Sequence, residues 1–211
     1  MQAVDVETSA TKLLLDRIRG GDPAAVGELL ALHRQRLHRF IAMRLDPQLR
    51  GRVDASDVVQ EAQIEMAKRM DEYLARLPMP FHVWLCKTAY ENLVRLRRHH
   101  LGAECRAVGR ETALPDDSSV NLAQKILADQ GPEPGDQLVG RELARRVREA
   151  LAQLDVTDQE VLLLRYFDGL NNQEVAQVLG LDTSAASKRY GRALLRLRKR
   201  LQDRGVSESD A

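Results

Sequence analysis

Aromatic residues, cysteines and long apolar runs are all scarce in this chain of 211 residues. Aromatics make up only 4% of the sequence while Leu, Ala, Arg and Glu are abundant, and this balance favours helices over sheets. No apolar run exceeds four residues, far below the roughly 20 that a bilayer-spanning helix needs. Cys86 and Cys105 make no disulfide framework, and the N-terminus carries Asp5 and Glu7 without the apolar segment of a secretory signal. The chain is therefore interpreted as a cytosolic protein with no membrane contact.

Charge is plentiful and unevenly distributed. Lys and Arg number 32 against 31 Asp and Glu, a formal net charge of +1. Acidic residues dominate 54–72 and 111–140, whereas basic residues dominate 95–110 and 188–204. Two basic segments separated by an acidic, Pro- and Gly-bearing stretch favour two modules that face nucleic acid on either side of a linker. The alternative is that each charged run is a solvated helix face.

The N-terminal half has the three-and-four spacing of amphipathic helices. The first apolar face comprises Val26, Leu29, Leu30, Leu37, Phe40 and Ile41. Asp54 is expected to cap a second helix, because its carboxylate can accept from free amides of the first turn, and that helix is predicted to continue to Tyr73. After a proline-rich break, a third long helix is predicted from Phe81 to Leu96.

Periodicity fades after Leu101, and 102–136 is interpreted as a flexible acidic linker with a short helix near 122–128. Three shorter helices are then predicted over 158–168, 171–179 and 183–203. No stretch alternates with period two, so the predicted fold class is all-α. Two small helical domains are predicted, 11–101 and 137–204.

The segment after Leu170 has the caps and the turn of a helix-turn-helix. Asn171 is a good N-cap with Glu174 three residues on, and Gly180 stands where positive φ is often required. Asp182 is expected to cap the second helix, whose apolar sector packs on the domain. The outer sector and its flanks carry the predicted contacts with duplex DNA: Ser184, Ala185, Ser187, Lys188, Arg189, Arg192 and Arg196. A generic helical hairpin with a cationic face is the alternative.

Two parts of the chain resemble bacterial sigma factors. The segment from Leu154 to Leu181, continued by Ser184 to Arg198, is similar to region 4, which reads the −35 promoter element. Asp54-Ala-Ser-Asp-Val-Val-Gln-Glu61 is similar to the D-x-x-D-[LV]-[VL]-Q-E signature of region 2. Because both regions occur without an intervening region 3, the chain resembles the extracytoplasmic-function (ECF) subgroup. The resemblance assigns the first predicted domain to region 2 and the second to region 4.

The resemblance implies a subunit that directs core RNA polymerase to promoters and does no chemistry itself. It implies docking of Asp57, Gln60 and Glu61 on the β′ clamp helices, and contact of region 4 with the β flap. The loop 77–80 is implied to help hold a flipped −10 base. Candidate contacts with the −10 strand are Arg76, Met79, His82, Asn92, Arg95 and Arg98. Trp84 could stack on a base, but its helical register favours a core role.

No metal or cofactor is expected, because His99, His100 and Cys105 lack paired ligand spacing. Arg95 stands where many family members carry an acid, which leaves the promoter sequence open. Two other functions also stay open at this point. One is a dimeric helix-turn-helix regulator that binds DNA without polymerase, and the other is a helical adaptor whose basic faces bind acidic proteins. The resemblance also leaves an anti-sigma partner open.

Overall fold

The structure, a computed structural model, describes residues 2–45, 53–100 and 137–203, with side chains over 9–45, 53–98 and 145–203. Within these residues there are nine helices and no strand, so the predicted all-α class is confirmed. The helices are α1 (Gln2–Arg19), α2 (Ala25–Arg44), α3 (Ala55–Lys68), α4 (Met70–Arg76), α5 (Phe81–His100), α6 (Gln137–Ala152), α7 (Val156–Tyr166), α8 (Asn172–Leu179) and α9 (Thr183–Gln202). In the described part of the chain, no helix is both long enough and apolar enough to cross a membrane.

The chain divides into two compact units. Unit 1 comprises residues 1–42 and 50–100, and unit 2 comprises 43–49 and 101–211. The predicted linker, with its short helix, lies outside the described residues. The domain limits expected from the sequence stay predictions.

Unit 1 has an aromatic cluster at the junction of α4 and α5. Tyr73 lies with its ring centre 4.7 Å from that of Trp84 and 5.7 Å from that of Phe81, and the Phe81 and Trp84 rings are 5.7 Å apart. Trp84 is only 5% exposed, which confirms its predicted core role. α3 packs beside α5 through its buried residues Val58, Val59, Ala62 and Met66. Three of the few aromatic residues of the chain thus pack together at this junction.

The predicted single helix from Asp54 to Tyr73 is wrong beyond Lys68. Its start is as expected, because the Asp54 carboxylate accepts from Ser56 N–H at 2.6 Å and this bond holds the pKa of Asp54 below its usual value. At Arg69 the backbone leaves helical values, with φ −98° and ψ 4°. A second helix, α4, begins after this bend, and its residue Tyr73 is buried. Residue spacing alone does not distinguish a continuous helix from two helices joined by one bent residue.

Unit 2 is built on one apolar core shared by α6, α7 and α9. Its buried members include Val147, Ala150, Leu151, Leu162, Leu163, Ala193, Leu197 and Leu201. Burial of each leucine contributes about 1.5–3 kcal/mol, so α9 is firmly attached along one side. α7 begins earlier than predicted, because Asp155 caps it by accepting from Thr157 N–H at 3.0 Å and Asp158 N–H at 2.9 Å.

Candidate functional sites

The turn between α8 and α9 is fixed by side-chain caps. Glu174 N–H donates to Asn171 Oδ1 at 3.0 Å, and Asn171 N–H donates to Glu174 Oε2 at 2.8 Å. Gly180 ends α8 with φ 66°, in the left-handed region that favours glycine. Asp182 Oδ1 then accepts from Ala185 N–H at 2.7 Å at the start of α9. The predicted caps and turn are confirmed, and they give α9 a fixed starting point.

Polar contacts with α7 and α8 also hold α9 in place. Asn172 Nδ2 donates to Ser187 Oγ at 2.9 Å, which joins the first turn of α8 to α9. The Tyr190 hydroxyl donates to the Tyr166 hydroxyl at 3.0 Å, and the Arg165 guanidinium lies 5.1 Å from the Tyr190 ring centre. Burial raises the pKa of the Tyr166 hydroxyl. Sequence reasoning missed these contacts, because bonds between residues distant in sequence leave no periodic signal.

Arg196, a predicted DNA contact, is already paired within unit 2. Its Nη1 lies 3.1 Å from Asp155 Oδ2 and also donates to Asp158. Hydrogen bonding to Asp158 raises the pKa of Arg196. Since Asp155 caps α7, this pair connects α9 to the start of α7. Arg196 therefore positions α9, and the guanidinium is less available for DNA than the sequence predicts.

The outer side of α9 carries the remaining predicted contacts. Ser184, Lys188 and Arg192 are exposed, whereas Ala185 and Arg189 are partly buried. Lys188 and Arg192 are four residues apart, so both lie on one side of the helix, away from its buried residues. Of the predicted contacts, the structure thus presents Ser184, Lys188 and Arg192 to solvent over the first half of α9.

The acidic side of α3 is exposed in unit 1. Asp57, Gln60 and Glu61 are all exposed, and the buried residues of α3 lie on its other side. Ile64 is 56% exposed and follows Gln60 by one turn, so an apolar side chain extends this polar surface. Ile64 is not among the residues predicted from the sequence, although its spacing of four residues from Gln60 places it on the same side of the helix.

Two predicted −10 residues on α5 have different environments. Arg95 is exposed, with its Nη2 4.0 Å from Glu61 Oε1. Asn92 is only 5% exposed and its Oδ1 accepts from Arg95. The amide of Asn92 is thus covered and orients Arg95, and a direct contact of Asn92 with the −10 strand stays a prediction.

A cleft of about 150 Å³ lies beside the loop between α4 and α5. Its apolar and aromatic lining residues are Tyr73, Pro78, Met79 and Trp84, and its charged ones are Arg69, Glu72, Arg76 and Lys87. The cleft brings together the predicted residues Arg76 and Met79, and sequence reasoning missed Arg69 and Lys87 because they approach only in the fold. The rings of Tyr73 and Trp84 are only 4% and 5% exposed, so Pro78, Met79 and the nearby cations form the part of the lining that can contact a flat ring and a neighbouring phosphate.

The loop itself is held at both ends. Leu77 N–H donates to Tyr73 O at 2.7 Å, and the Tyr73 hydroxyl donates to Met79 O at 3.2 Å. Burial raises the pKa of Tyr73, which keeps this donor protonated. Pro78 and Pro80 each fix one φ angle in the loop. The loop is therefore preorganised by its own sequence and by the tyrosine beneath it.

The other residues predicted from the sequence lie outside the cleft or outside the described side chains. His82 is partly buried and does not line the cleft, whereas Arg98 is exposed. His99 and His100 have undescribed side chains, and Cys105 lies outside the described residues. Across the side chains that are described, no group of three His, Cys, Asp or Glu residues is arranged to hold a metal ion.

A family model and several known proteins match this chain. The family model described as Sigma-70, region 4 matches residues 144–197, an interval that includes all of α7 and α8. The ECF RNA polymerase sigma factor SigD of Mycobacterium tuberculosis is 30% identical over 178 residues, covering 84% of this chain and 77% of that protein. The ECF RNA polymerase sigma factor SigW of Bacillus subtilis is 25% identical over 198 residues, covering 91% of this chain and 97% of that protein.

A solved protein structure is also similar to most of this chain. The structure of CnrH in complex with the cytosolic domain of CnrY matches with a TM-score of 0.59 and 25% identity. The match covers 92% of this chain and 98% of the matched chain in that structure. The similarity therefore includes helices of both units.

Proposed function

The chain belongs to the ECF sigma factors, which direct bacterial RNA polymerase to promoters, and we propose how its two units divide that task. As a sigma factor it acts with core RNA polymerase and promoter DNA. The relatives support this function over a dimeric regulator that acts without polymerase. The task requires no bond-making chemistry from the sigma subunit, and we expect it to take place in the cytoplasm with the polymerase.

We assign the −35 duplex to unit 2. Entry of α9 into the major groove would bring Ser184 and Ala185 near base edges and let Lys188 and Arg192 reach guanine acceptors or phosphates. The exposure of Lys188 and Arg192 and the fixed turn before α9 support this role. Arg196 supports the helix from the side through Asp155. Contact of unit 2 with the β flap remains a prediction.

We assign polymerase docking to the acidic side of α3 in unit 1. Asp57, Gln60 and Glu61 would meet the β′ clamp helices, with Ile64 as an apolar anchor among them. An apolar residue surrounded by charge is the usual composition of a protein interface, and the charges steer association. The exposure of all four residues supports the assignment.

We assign the flipped −10 base to the cleft beside the loop between α4 and α5. Pro78 and Met79 could contact the base, and Arg76 and Lys87 could neutralise flanking phosphates. Extruding a base costs a few kcal/mol, which contacts in the cleft would offset. Arg95 and Arg98, both exposed on α5, would extend the contact along the strand.

A protein partner that restrains the sigma factor is a further expectation. CnrH, a structurally similar protein, is solved with the cytosolic domain of CnrY. We propose that this chain also takes a protein partner of the anti-sigma kind.

The proposed assignment of DNA to unit 2 and of polymerase to unit 1 rests on one observation. A cationic helix side is exposed in unit 2, and an acidic helix side is exposed in unit 1. The test is run-off transcription with purified core polymerase on a genomic promoter library. We expect start sites that depend on the chain, and their upstream sequences would supply the promoter code. Identical start sites with and without the chain would contradict the proposal.

Charge-reversal variants separate the two units. Glu61→Lys is expected to abolish capture of core polymerase and all chain-dependent transcripts. The double variant Lys188→Glu and Arg192→Glu should still capture polymerase but lose the specific start sites. Arg34→Glu, at an exposed position of α2, is the control and should change neither. Loss of polymerase capture in the double variant would contradict the assignment of unit 2.

A further inference from the structure

Leu77 has an unusual backbone conformation for a leucine. Its φ is 41° and its ψ is 55°, in the left-handed region, and within the described part of the chain the other residues with positive φ are glycines. A side chain with a Cβ atom is strained in that region, whereas glycine is not. The residue nevertheless ends α4 and is fixed there by its hydrogen bond to Tyr73 O at 2.7 Å.

The Leu77 side chain adds little to the core. It is 48% exposed, although it is apolar and lies next to a buried aromatic cluster. Glycine or asparagine would form the same turn with less strain and without exposing an apolar side chain. Strain and exposure together indicate that the side chain has a contact outside the chain.

The position of Leu77 in the loop suggests what that contact is. Its neighbours on both sides, Arg76 and Pro78, line the cleft, whereas Leu77 itself does not. When a base leaves the duplex, it leaves a gap in the stack, and proteins that distort DNA commonly fill such gaps with Leu, Ile, Met, Phe or Pro. A rigid loop suits this task, because it keeps the apolar side chain in place before DNA arrives.

We propose that Leu77 is a wedge that enters the −10 base stack and occupies the space left by the extruded base. Its ligand is the face of the neighbouring base pair, while the cleft holds the extruded base itself. This proposal rests on the function proposed for unit 1. It assigns the opening of the duplex and the holding of the base to different residues of one preorganised loop.

The test compares two forms of one promoter, taken from the run-off selection described above. One form is fully duplex, and the other has a non-complementary −10 element that is open from the start. Full-length Leu77→Gly, assembled with core polymerase, removes the wedge while allowing the left-handed backbone. Opening is followed by permanganate reactivity of unpaired thymines and by the run-off rate.

We expect Leu77→Gly to open the duplex promoter about tenfold more slowly and to use the pre-opened promoter within about twofold of the wild type. Leu77→Met, which keeps an apolar side chain of similar size, should restore most of the opening rate. Leu13→Ala, at a 64% exposed leucine of α1, is the matched control and should behave as wild type on both forms.

Two results would overturn the wedge. One is duplex opening by Leu77→Gly at the wild-type rate, and the other is an equal loss on both promoter forms, which would place Leu77 in base holding or loop structure. Failure of the proposed function is visible separately, because wild-type chain would then produce no specific transcript from either form. Circular dichroism of Leu77→Gly should match wild type, which separates loss of the side chain from loss of the fold.

Discussion

The two units present their functional side chains in different ways. In unit 2 the proposed DNA contacts follow one another along α9, and caps at Asn171 and Asp182 fix the start of the motif. In unit 1 the proposed −10 cleft is assembled from α4, the loop and α5, around the packed rings of Tyr73 and Trp84. A helix side is thus a local feature of the sequence, whereas the cleft exists only when its core is packed.

Because of this difference, stability and recognition depend on separate residues in unit 2 but share a residue in unit 1. Lys188 and Arg192 are exposed and can be removed without opening the core of unit 2. Trp84 lines the cleft and is also 95% buried, given its 5% exposure, so the site and the core share one residue. Substitutions at the proposed site of unit 2 should therefore weaken recognition without lowering stability. In unit 1 they should change both.

The largest effect is expected for Trp84→Ala. Removing this side chain leaves a cavity beside Tyr73 and Phe81, and we expect a loss of about 3–5 kcal/mol in the free energy of unfolding. Urea unfolding followed by circular dichroism measures it. Leu13→Ala should change the same quantity by less than about 0.5 kcal/mol, because Leu13 is exposed. A loss below about 1 kcal/mol for Trp84→Ala would mean that the cleft does not depend on its aromatic core.

Next in size is the effect of Arg192→Ala on binding. We expect polymerase carrying this variant to lose about 1–3 kcal/mol of affinity for its promoter and to discriminate less at one −35 base pair. Competition binding with single-base promoter variants measures both effects. Unfolding should be unchanged, in contrast to Trp84→Ala, and Arg34→Ala serves as the exposed arginine control. Uniform loss across all sequences would instead indicate a phosphate contact.

The same contrast explains what could be predicted from the sequence. Residues within one or two turns of each other predict the helix caps, the turn at Gly180 and the outer side of α9. The structure confirms the caps and the turn. The apolar spacing continues past the bend at Arg69, and the covering of Asn92 depends on packing between helices, so residue spacing predicts neither. Pairing of Arg196 with Asp155 was missed for the same reason, since 41 residues separate them.

A smaller effect is expected at the cap of α8. Asn171→Ala removes the acceptor for Glu174 N–H, and we expect unfolding to become easier by about 1 kcal/mol. Urea unfolding should show this shift, while Gln173→Ala, an exposed substitution on the same helix, should show almost none. Promoter affinity of the folded variant should stay near wild type. A large affinity loss without a stability change would give Asn171 a direct role in binding.

The smallest effect concerns the exposed pair of Glu61 and Arg95 in unit 1, which joins the proposed polymerase surface to the proposed −10 surface. Their side chains are 62% and 59% exposed and 4.0 Å apart, and pairs of this kind contribute about 0.2–1 kcal/mol. We therefore expect Glu61→Gln to weaken polymerase binding and Arg95→Ala to slow promoter opening, each almost independently. A double-mutant cycle measured by polymerase affinity should give a coupling energy below about 1 kcal/mol. A larger coupling would mean that polymerase, by engaging Glu61, releases Arg95 for DNA, and the two surfaces of unit 1 would then act as one site.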